Sequence, residues 1–429
     1  MKALCRAGCT TGREQRKSNC EPLRPLLFLS DLCVSKQFAL IARDYFLKTP
    51  SENPAHPPLR GRDVPFTHRP VAAVSSAESD FHDDIVYPDA IPFALVHLAC
   101  VAAIWTGVTW KAVIIGLVLY VVRMFAVTAG YHRYFSHRSF RTSRWFQFVL
   151  AWVAQSSSQK SVLWWAAVHR HHHKHSDTEE DVHSPRQHGF LYAHFGWVFD
   201  RKYDTTEQNA ITDFADHPEL RFLQRFEQLP AVVLAVATFL LAGWPGLVVG
   251  FFWSTVLLYH CTFFINSLAH VHGSQRYVTG DDSRNNWWLA VITMGEGWHN
   301  NHHAYQRSAR QGFRWYEVDA TFYILTVLAW AGIVRDLGTP PVEVVRNERP
   351  LGRATVERIA RQLAASFDRA HLEARLPHLP TMDELRARAR NMIPHTPSLD
   401  DICARARELL AQALGSTGDA SSESARMAT

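Results

Sequence analysis

Four apolar runs interrupt an otherwise mixed chain, at residues 91–107, 112–129, 229–244 and 248–264. Each is 16 to 18 residues long, at the short end of what an α-helix needs to cross a bilayer. The first two are joined by little more than Thr-Trp-Lys-Ala and the last two by Pro-Gly-Leu. Pairs with such short connectors predict two helical hairpins, and a hairpin returns the chain to the side it left. The leader, residues 130–228 and everything after 265 therefore share one side. Those segments hold nearly all the Lys and Arg, which makes that side cytoplasmic by the positive-inside rule. Two further apolar stretches, 146–155 and 322–334, are too short to span and are expected at the interface or packed on the bundle. Arg123 and His97 fall inside spans, where snorkelling or a packed polar contact accounts for them. The expected fold is an all-α integral membrane protein, with four transmembrane helices in two hairpins under a cytosolic helical cap.

Outside the runs the pattern changes. Residues 1–82 are rich in Pro, Ser and Arg with little periodicity, and read as a disordered leader. Their apolar stretch PLLFLSDLCV is broken by Asp31 and lacks a small-residue cleavage site, which argues against a signal peptide. Residues 83–335 hold the spans and the cap. From 336 to 429 the chain is soluble in character: Val356, Ile359, Leu363 and Phe367 recur at helical spacing, as do Ile402, Leu409 and Leu410. TMDE at 381–384 and SLDD at 398–401 resemble capping boxes. A helical extension packed on the cap is the expectation.

Composition narrows the function. A net charge of +5 is too mild to argue for nucleic acid and is compatible with a membrane surface. The 7 cysteines show no paired spacing, as in free thiols of a reducing compartment. Histidine is the outlier, with 24 residues, 17 of them between His132 and His303.

Their spacing selects a subset. In VHRHHHKHSD, His169, His172 and His173 stand at i, i+3 and i+4 on one helix face, leaving His171 and His175 turned away. The template recurs in GEGWHNNHHAY as His299, His302 and His303. YHRYFSHR places His132 and His137 five apart at the end of the second span, a spacing that predicts a helix ending or unwinding between them. INSLAHVHG adds Asn266 and His270 where the fourth span leaves the membrane. Nine imidazoles from four membrane-edge segments exceed the needs of one ion and suit two, with Asn266 completing a shell directly or through water. Iron accepts imidazole and has the redox chemistry that zinc lacks. A di-iron pair above apolar spans points to oxygen chemistry on a lipid chain. Asp177, Glu179, Glu180, Asp181 and Glu296 are candidate acceptors for the ligands' ring N–H groups; His171, His175, His183 and His188 read as backing or solvated.

The motifs HRYFSH, HRHHH, NSLAH and GEGWHNNHH, with two hairpins between them, resemble the membrane fatty acyl desaturases, in particular the acyl-CoA delta-9 (stearoyl-CoA-like) branch and its bacterial relatives. The resemblance covers roughly residues 83–330. It implies two Fe2+ ions, O2 as co-substrate and insertion of a cis double bond into a long-chain acyl thioester. The implied ligands are His132, His137, His169, His172, His173, His270, His299, His302 and His303, with Asn266 acting through water. It also implies that Gln159, Trp165 and Thr262 shape a kink in an acyl tunnel, and that Arg201 and Lys202 meet CoA phosphates. Where the family often carries an acidic and a basic residue before the second box, this chain has Ala167 and Val168, so an acyl carrier protein or a lipid ester remains open as the carrier. Tyr120 lies twelve residues before His132, about 18 Å along a helix, where the methyl end of a substrate should stop. Met124 is one turn nearer. The electron donor is external: ferredoxin, flavodoxin, rubredoxin or cytochrome b5. Two other readings share features with this one. A membrane di-iron hydroxylase would give an alcohol in place of an alkene. A histidine-rich zinc transporter or buffer needs polar groups within its spans, which here are few.

Overall fold

The computed structural model describes residues 90–203, 206–367 and 379–427, which all fall in one of the two compact units of the chain. The expected leader, 1–82, lies outside the described residues.

Helices dominate. α1 (Ala90–Val101) continues as a turn of helix at Ala103–Thr106, and α2 (Trp110–Phe125) starts where the Thr109 hydroxyl accepts from the Ala112 N–H at 3.2 Å. α2 runs on, without a break, into a π-wound segment at Ala126–Ser136. A two-residue strand β1 (Arg141–Thr142) precedes α3 (Arg144–Gln155) and α4 (Val162–His175), both opened by serine caps at Ser143 and Ser161. The short amphipathic α5 (Pro218–Arg225) leads to α6 (Leu229–Pro245), a second π-wound segment at Gly246–Trp253 and α7 (Ser254–Asn266). The chain continues through α8 (Trp287–Ile292), α9 (His299–Ala304), α10 (Ala320–Trp330) and β2 (Val334–Arg335), which pairs antiparallel with β1. The C-terminal extension is α11 (Arg353–Ala365), α12 (Met382–Met392) and α13 (Leu399–Met427).

All four apolar runs are helical. Among the described residues two continuous stretches, Trp110–Ser136 and Leu229–His270, are long and apolar enough to cross a membrane; Ala90–Thr106 is apolar but shorter. The Leu229–His270 stretch is not one rod. Ala242 (φ −142°, ψ 17°) and Gly243 (φ 63°, ψ −152°) leave helical geometry, and α6 packs on the Gly246–Trp253 segment. The reversal thus precedes Pro-Gly-Leu, because a proline fits the first turn of the helix that follows it. Large apolar side chains on these helices face outward: Leu98 is 66% exposed, Ile104 76% and Leu240 77%. Contiguous apolar surface of this kind belongs against lipid or protein. Polar groups inside are paired: the buried Arg123 guanidinium donates to Thr255 Oγ1 (2.8 Å) and Ser254 Oγ (2.6 Å), the packed-contact alternative and not snorkelling.

The extension has a core of its own, built from Ile359, Leu363, Leu385, Ile402, Ala406 and Leu410. Thr381 and Glu384 form the expected capping box. The Ser398 hydroxyl does other work, accepting from the Leu351 N–H at 2.9 Å.

Candidate metal centre

The π-wound segment that follows α2 places the first two histidines, and its winding is a feature the sequence reading did not anticipate. As the spacing predicts, the helix ends between His132 and His137: its last residue is Ser136 and His137 is the C-cap. Up to that end it widens to π winding, in which residue i bonds i+5, and the His137 N–H donates to the His132 carbonyl at 3.2 Å. Five residues is a little over one turn of such winding, and the two rings lie side by side, centred 4.9 Å apart. Arg170 holds this end, donating to the carbonyls of Phe135 (2.6 Å) and Ser136 (2.9 Å) while pairing with Asp213 at 2.9 Å.

The nine spacing-selected imidazoles fall into two adjoining groups. His132, His137, His169, His173 and His302 bring one ring nitrogen each within 4.8 Å of one another, and His172, His270, His299 and His303 do the same. The helix-face argument held that His169, His172 and His173 act together, and here the structure refines it. On α4, the i and i+4 residues (His169, His173) enter the five-histidine group while His172 enters the other. On α9 the division is reversed: His299 and His303 enter the four-histidine group and His302 crosses over. The groups touch, with the rings of His173 and His303 centred 4.5 Å apart.

The donor set fits metal. In the larger group Nε2 atoms are 2.9 Å apart for His137–His169, 3.0 Å for His169–His173, 2.9 Å for His173–His302 and 3.0 Å for His302–His132. One Nε2 carries at most one hydrogen, so His169, His173 and His302 cannot satisfy two ring neighbours each by hydrogen bonding. Lone pairs converging on a common cation resolve this. Nitrogens about 2.1 Å from an ion lie about 3.0 Å apart at a right angle and about 3.4 Å at a tetrahedral one. The observed spacing therefore suits a five- or six-coordinate ion better than tetrahedral zinc. Burial, then the neighbouring rings, push His137, His169, His173 and His302 well below the ordinary histidine pKa, which keeps them neutral and able to ligate. In the smaller group His270 and His299 have Nε2 atoms 3.0 Å apart, and the buried Nε2 atoms of His172 and His303 have no hydrogen-bond partner among the described residues.

Carboxylates orient the rings. The Nδ1 of His172 donates to Asp181 (2.9 Å), that of His270 to Asp177 (2.8 Å) and that of His303 to Asp281 (2.8 Å). Each leaves its Nε2 lone pair free for an ion. Burial works against charge on Asp177, Asp181 and Asp281, yet the facing imidazoles hold all three carboxyls well below the usual range. Among the described residues only His132 of the larger group has such a partner: its Nδ1 pairs with Glu296, which Arg133 holds from the far side at 3.0 Å. Gly295, at φ +127°, brings Glu296 there. A Cβ on it would lie 2.4 Å from Asp319 Oδ1 and 2.9 Å from Arg133 Nη2, so no other residue fits.

His171 and His175 point away, both to Glu180. His183 is buried against His172, ring centres 4.3 Å apart, and burial lowers its pKa to about 3. Sequence reading named Asp177, Asp181 and Glu296 but missed Asp281, Arg133 and Arg170. The arginines sit inside the histidine boxes, as HRYF and HRHHH, and that adjacency was an available signal.

Two cavities border the larger group. The outer one, about 200 Å³, is lined by Phe93, Gln159, Trp165, Tyr259 and Phe263 among others. The inner one, about 40 Å³, is lined by Met124, Val127, Thr128, Ile265 and Thr293. Trp165, His169, Thr262 and Asn266 line both. Trp165 stacks on His169 at 4.8 Å, and Gln159 donates to Thr262 Oγ1 at 3.3 Å. Tyr120 lies outside both linings, donating to the Ile292 carbonyl at 2.6 Å. Lys202 lies outside them too, its ammonium 5.1 Å from the Tyr203 ring centre; the Arg201 side chain lies outside what the structure describes.

The family model for fatty acid desaturases matches residues 108–333. An acyl-CoA 5-desaturase of Anemone leveillei is 38% identical over 250 residues, covering 57% of this chain and 77% of that protein. An sn-1 stearoyl-lipid 9-desaturase of Synechocystis sp. is 38% identical over 259 residues, covering 60% and 81%. A chloroplastic palmitoyl-monogalactosyldiacylglycerol delta-7 desaturase of Arabidopsis thaliana is 38% identical over 235 residues, covering 54% and 63%.

Proposed function

From the premise that the chain belongs to the fatty acid desaturase family, we propose that it uses O2 and an external electron donor to insert a cis double bond, at the delta-9 position, into a long-chain acyl thioester, with acyl-CoA as the carrier. The observation that carries the reading is the two adjoining histidine groups, the larger of them set against two cavities that share His169 in their linings. The five histidines around His302 would hold one iron and the four around His303 the other, Asn266 acting on a shell through water. When bound, the two irons supply the oxidising power that removes two hydrogens from adjacent methylenes.

The chain's own residues do the rest. Trp165 and the Gln159–Thr262 pair stand where the cavities join, and they bend the acyl chain so that one carbon–carbon bond is presented at His132 and His169. Phe93, Tyr259 and Phe263 keep the outer passage apolar, and Met124 with Val127 bounds the inner one. Carboxylates fix the tautomers of His132, His172, His270 and His303, so these four keep the Nε2 lone pair for an ion. In this reading α1 with α2, and α6 with α7, are the two membrane hairpins. The cap and both termini are cytoplasmic, and residues 83–335 form the catalytic unit. The outward apolar faces of these helices support it.

Fatty-acid profiling of a desaturase-deficient host expressing the chain tests the proposal. New cis-monounsaturated acids are expected. Hydroxy acids in their place would move the assignment to a hydroxylase, and a product pool found on lipid esters alone would replace CoA as the carrier.

A further inference from the structure

The extension reaches back to the smaller histidine group through one loop, and that loop is built to transmit it. Val278 is a buried member of the extension's core, packed with Ile359 and Leu363 although it lies some eighty residues before them. Two residues on, Gly280 sits at φ +85° against α11: a Cβ there would lie 3.2 Å from Arg358 Cδ and 3.6 Å from Thr355 Cγ2. The next residue is Asp281, the carboxylate that takes the His303 Nδ1–H. Its other oxygen is locked inside the loop by Thr279 Oγ1 (2.7 Å), Ser283 Oγ (2.6 Å) and the Ser283 N–H (3.1 Å). The Asp282 N–H then donates to Asp177, the partner of His270, at 2.8 Å. The same loop grips α9, because the Arg276 and Tyr277 N–H groups both donate to Asn300 Oδ1 at 2.8 Å. Two of the four histidines in the smaller group thus take their orientation from residues 276–283. None of the carboxylate support for the larger group comes from this loop; Glu296 and Arg133 lie on other elements.

We infer that the C-terminal helical extension is a positioning element for the four-histidine site: by seating Val278 and Gly280 it fixes Asp281 and Asp282, and through them the His303 and His270 rings. The inference rests on the proposed two-ion centre. The loop lies within the matched family region, which ends at 333, but the extension residues that seat it, Thr355, Arg358, Ile359 and Leu363, follow that region, so this support is supplied from outside the catalytic unit. Loosening the extension weakens one ion and spares the other.

Iron release from the full-length protein to a chelator, followed together with total iron per chain, tests this. Wild type should hold two irons that leave in two phases; a different stoichiometry would overturn the two-ion reading itself and not the role of the extension. Asp281→Asn marks the phase belonging to the four-histidine site, because removing such a partner typically costs about 10–100-fold in metal affinity. Val278→Ala and Leu363→Ala, which open small gaps at the seam, should accelerate that marked phase several-fold and leave the other unchanged, whereas Val278→Ile, which keeps the seam filled, should leave both phases near the wild-type rates. Leu363→Asp, which unseats the extension more fully, should bring iron close to one per chain. Equal acceleration of both phases, or unchanged release when proteolysis shows the extension has come loose, would overturn the inference.

Discussion

The five-histidine group borders both cavities through His132 and His169, whereas none of the four histidines beside it lines either. Their backing differs in the opposite sense. Three of the four smaller-group rings rest on carboxylates, but only His132 does so among the five. One site has more imidazoles and faces the passage; the other has fewer and is embedded in anionic support. Buried carboxylates stabilise a cation through the rings that separate them from it, so the smaller group makes up in charge what it lacks in ligands. The two HxxHH helices serve both, each giving an i, i+4 pair to one group and its third histidine to the other. A shared motif does not imply a shared ion.

The most drastic way to break the comparison is to remove ligands. His172→Gln and His303→Gln should each cost the four-histidine ion, and His169→Gln and His302→Gln the five-histidine ion; all four should abolish desaturation. Iron analysis with Mössbauer spectra distinguishes the two losses. If His172→Gln and His173→Gln, neighbours on α4, leave identical spectra, the division of α4 between two ions is wrong.

Removing carboxylates is gentler. Asp181→Asn should weaken iron binding about 10–100-fold, and the double variant with Asp177→Asn more than either alone, both confined to the smaller group. Glu296→Gln should act on the larger group only. Its effect there has no second carboxylate to soften it. Chelator titration reads each, and a Glu296→Gln variant that releases the smaller group's ion would dissolve the contrast.

Which residues gather was legible in the sequence because ligand spacing is a local property of a helix. How they divide was not. That depends on how α4 and α9 face each other, and no spacing within either helix records it. The π winding was hidden for a related reason: His132 and His137 were counted against an α-helical turn, which shows the helix end before His137 but not the wider winding that leads up to it. Asp281 was missed because nothing near TGDDS marks it; it reaches His303 only through the fold, as Val278 reaches the extension. The apolar runs gave the helices, but the reversal at Ala242–Gly243 shows that composition fixes a connector only to within a few residues.

The inner cavity separates the groups in a third way, since it adjoins only the larger one. Met124 lines it and Tyr120 does not. Met124→Ala should therefore lengthen the space for the methyl end. Burial is worth about 0.8 kcal/mol per methylene, so two more carbons shift preference by ~1.6 kcal/mol, about fifteen-fold. Competition between palmitoyl and stearoyl substrates reads this, with the double bond unmoved from the carboxyl end. Tyr120→Ala loses a hydrogen bond to the Ile292 carbonyl and should change the ratio less. A larger change from Tyr120→Ala than from Met124→Ala would place the end of the passage beyond the observed lining.

The smallest effect belongs to the two histidines of the opening box that join neither group. The His171 Nε2 lies 2.8 Å from the Glu180 carbonyl, and the His175 Nδ1 2.9 Å from a Glu180 carboxylate that is itself 70% exposed. Their rings stack on each other at 4.6 Å, on the side of α4 away from the ions. Exposed pairs of this kind contribute at most about 1 kcal/mol, and glutamine keeps a polar group in reach of the same acceptors. The variant with His171→Gln and His175→Gln together should hold two irons per chain and keep its rate to within about a factor of two, the scale of an ordinary surface change of ~0.5 kcal/mol. This is the control that gives the ligand variants their meaning, because all five histidines lie within seven residues and share one helix. If the double variant lost iron as completely as His172→Gln, the loss would belong to α4 as a whole. The assignment of separate ions to its separate faces would then have no support from mutagenesis.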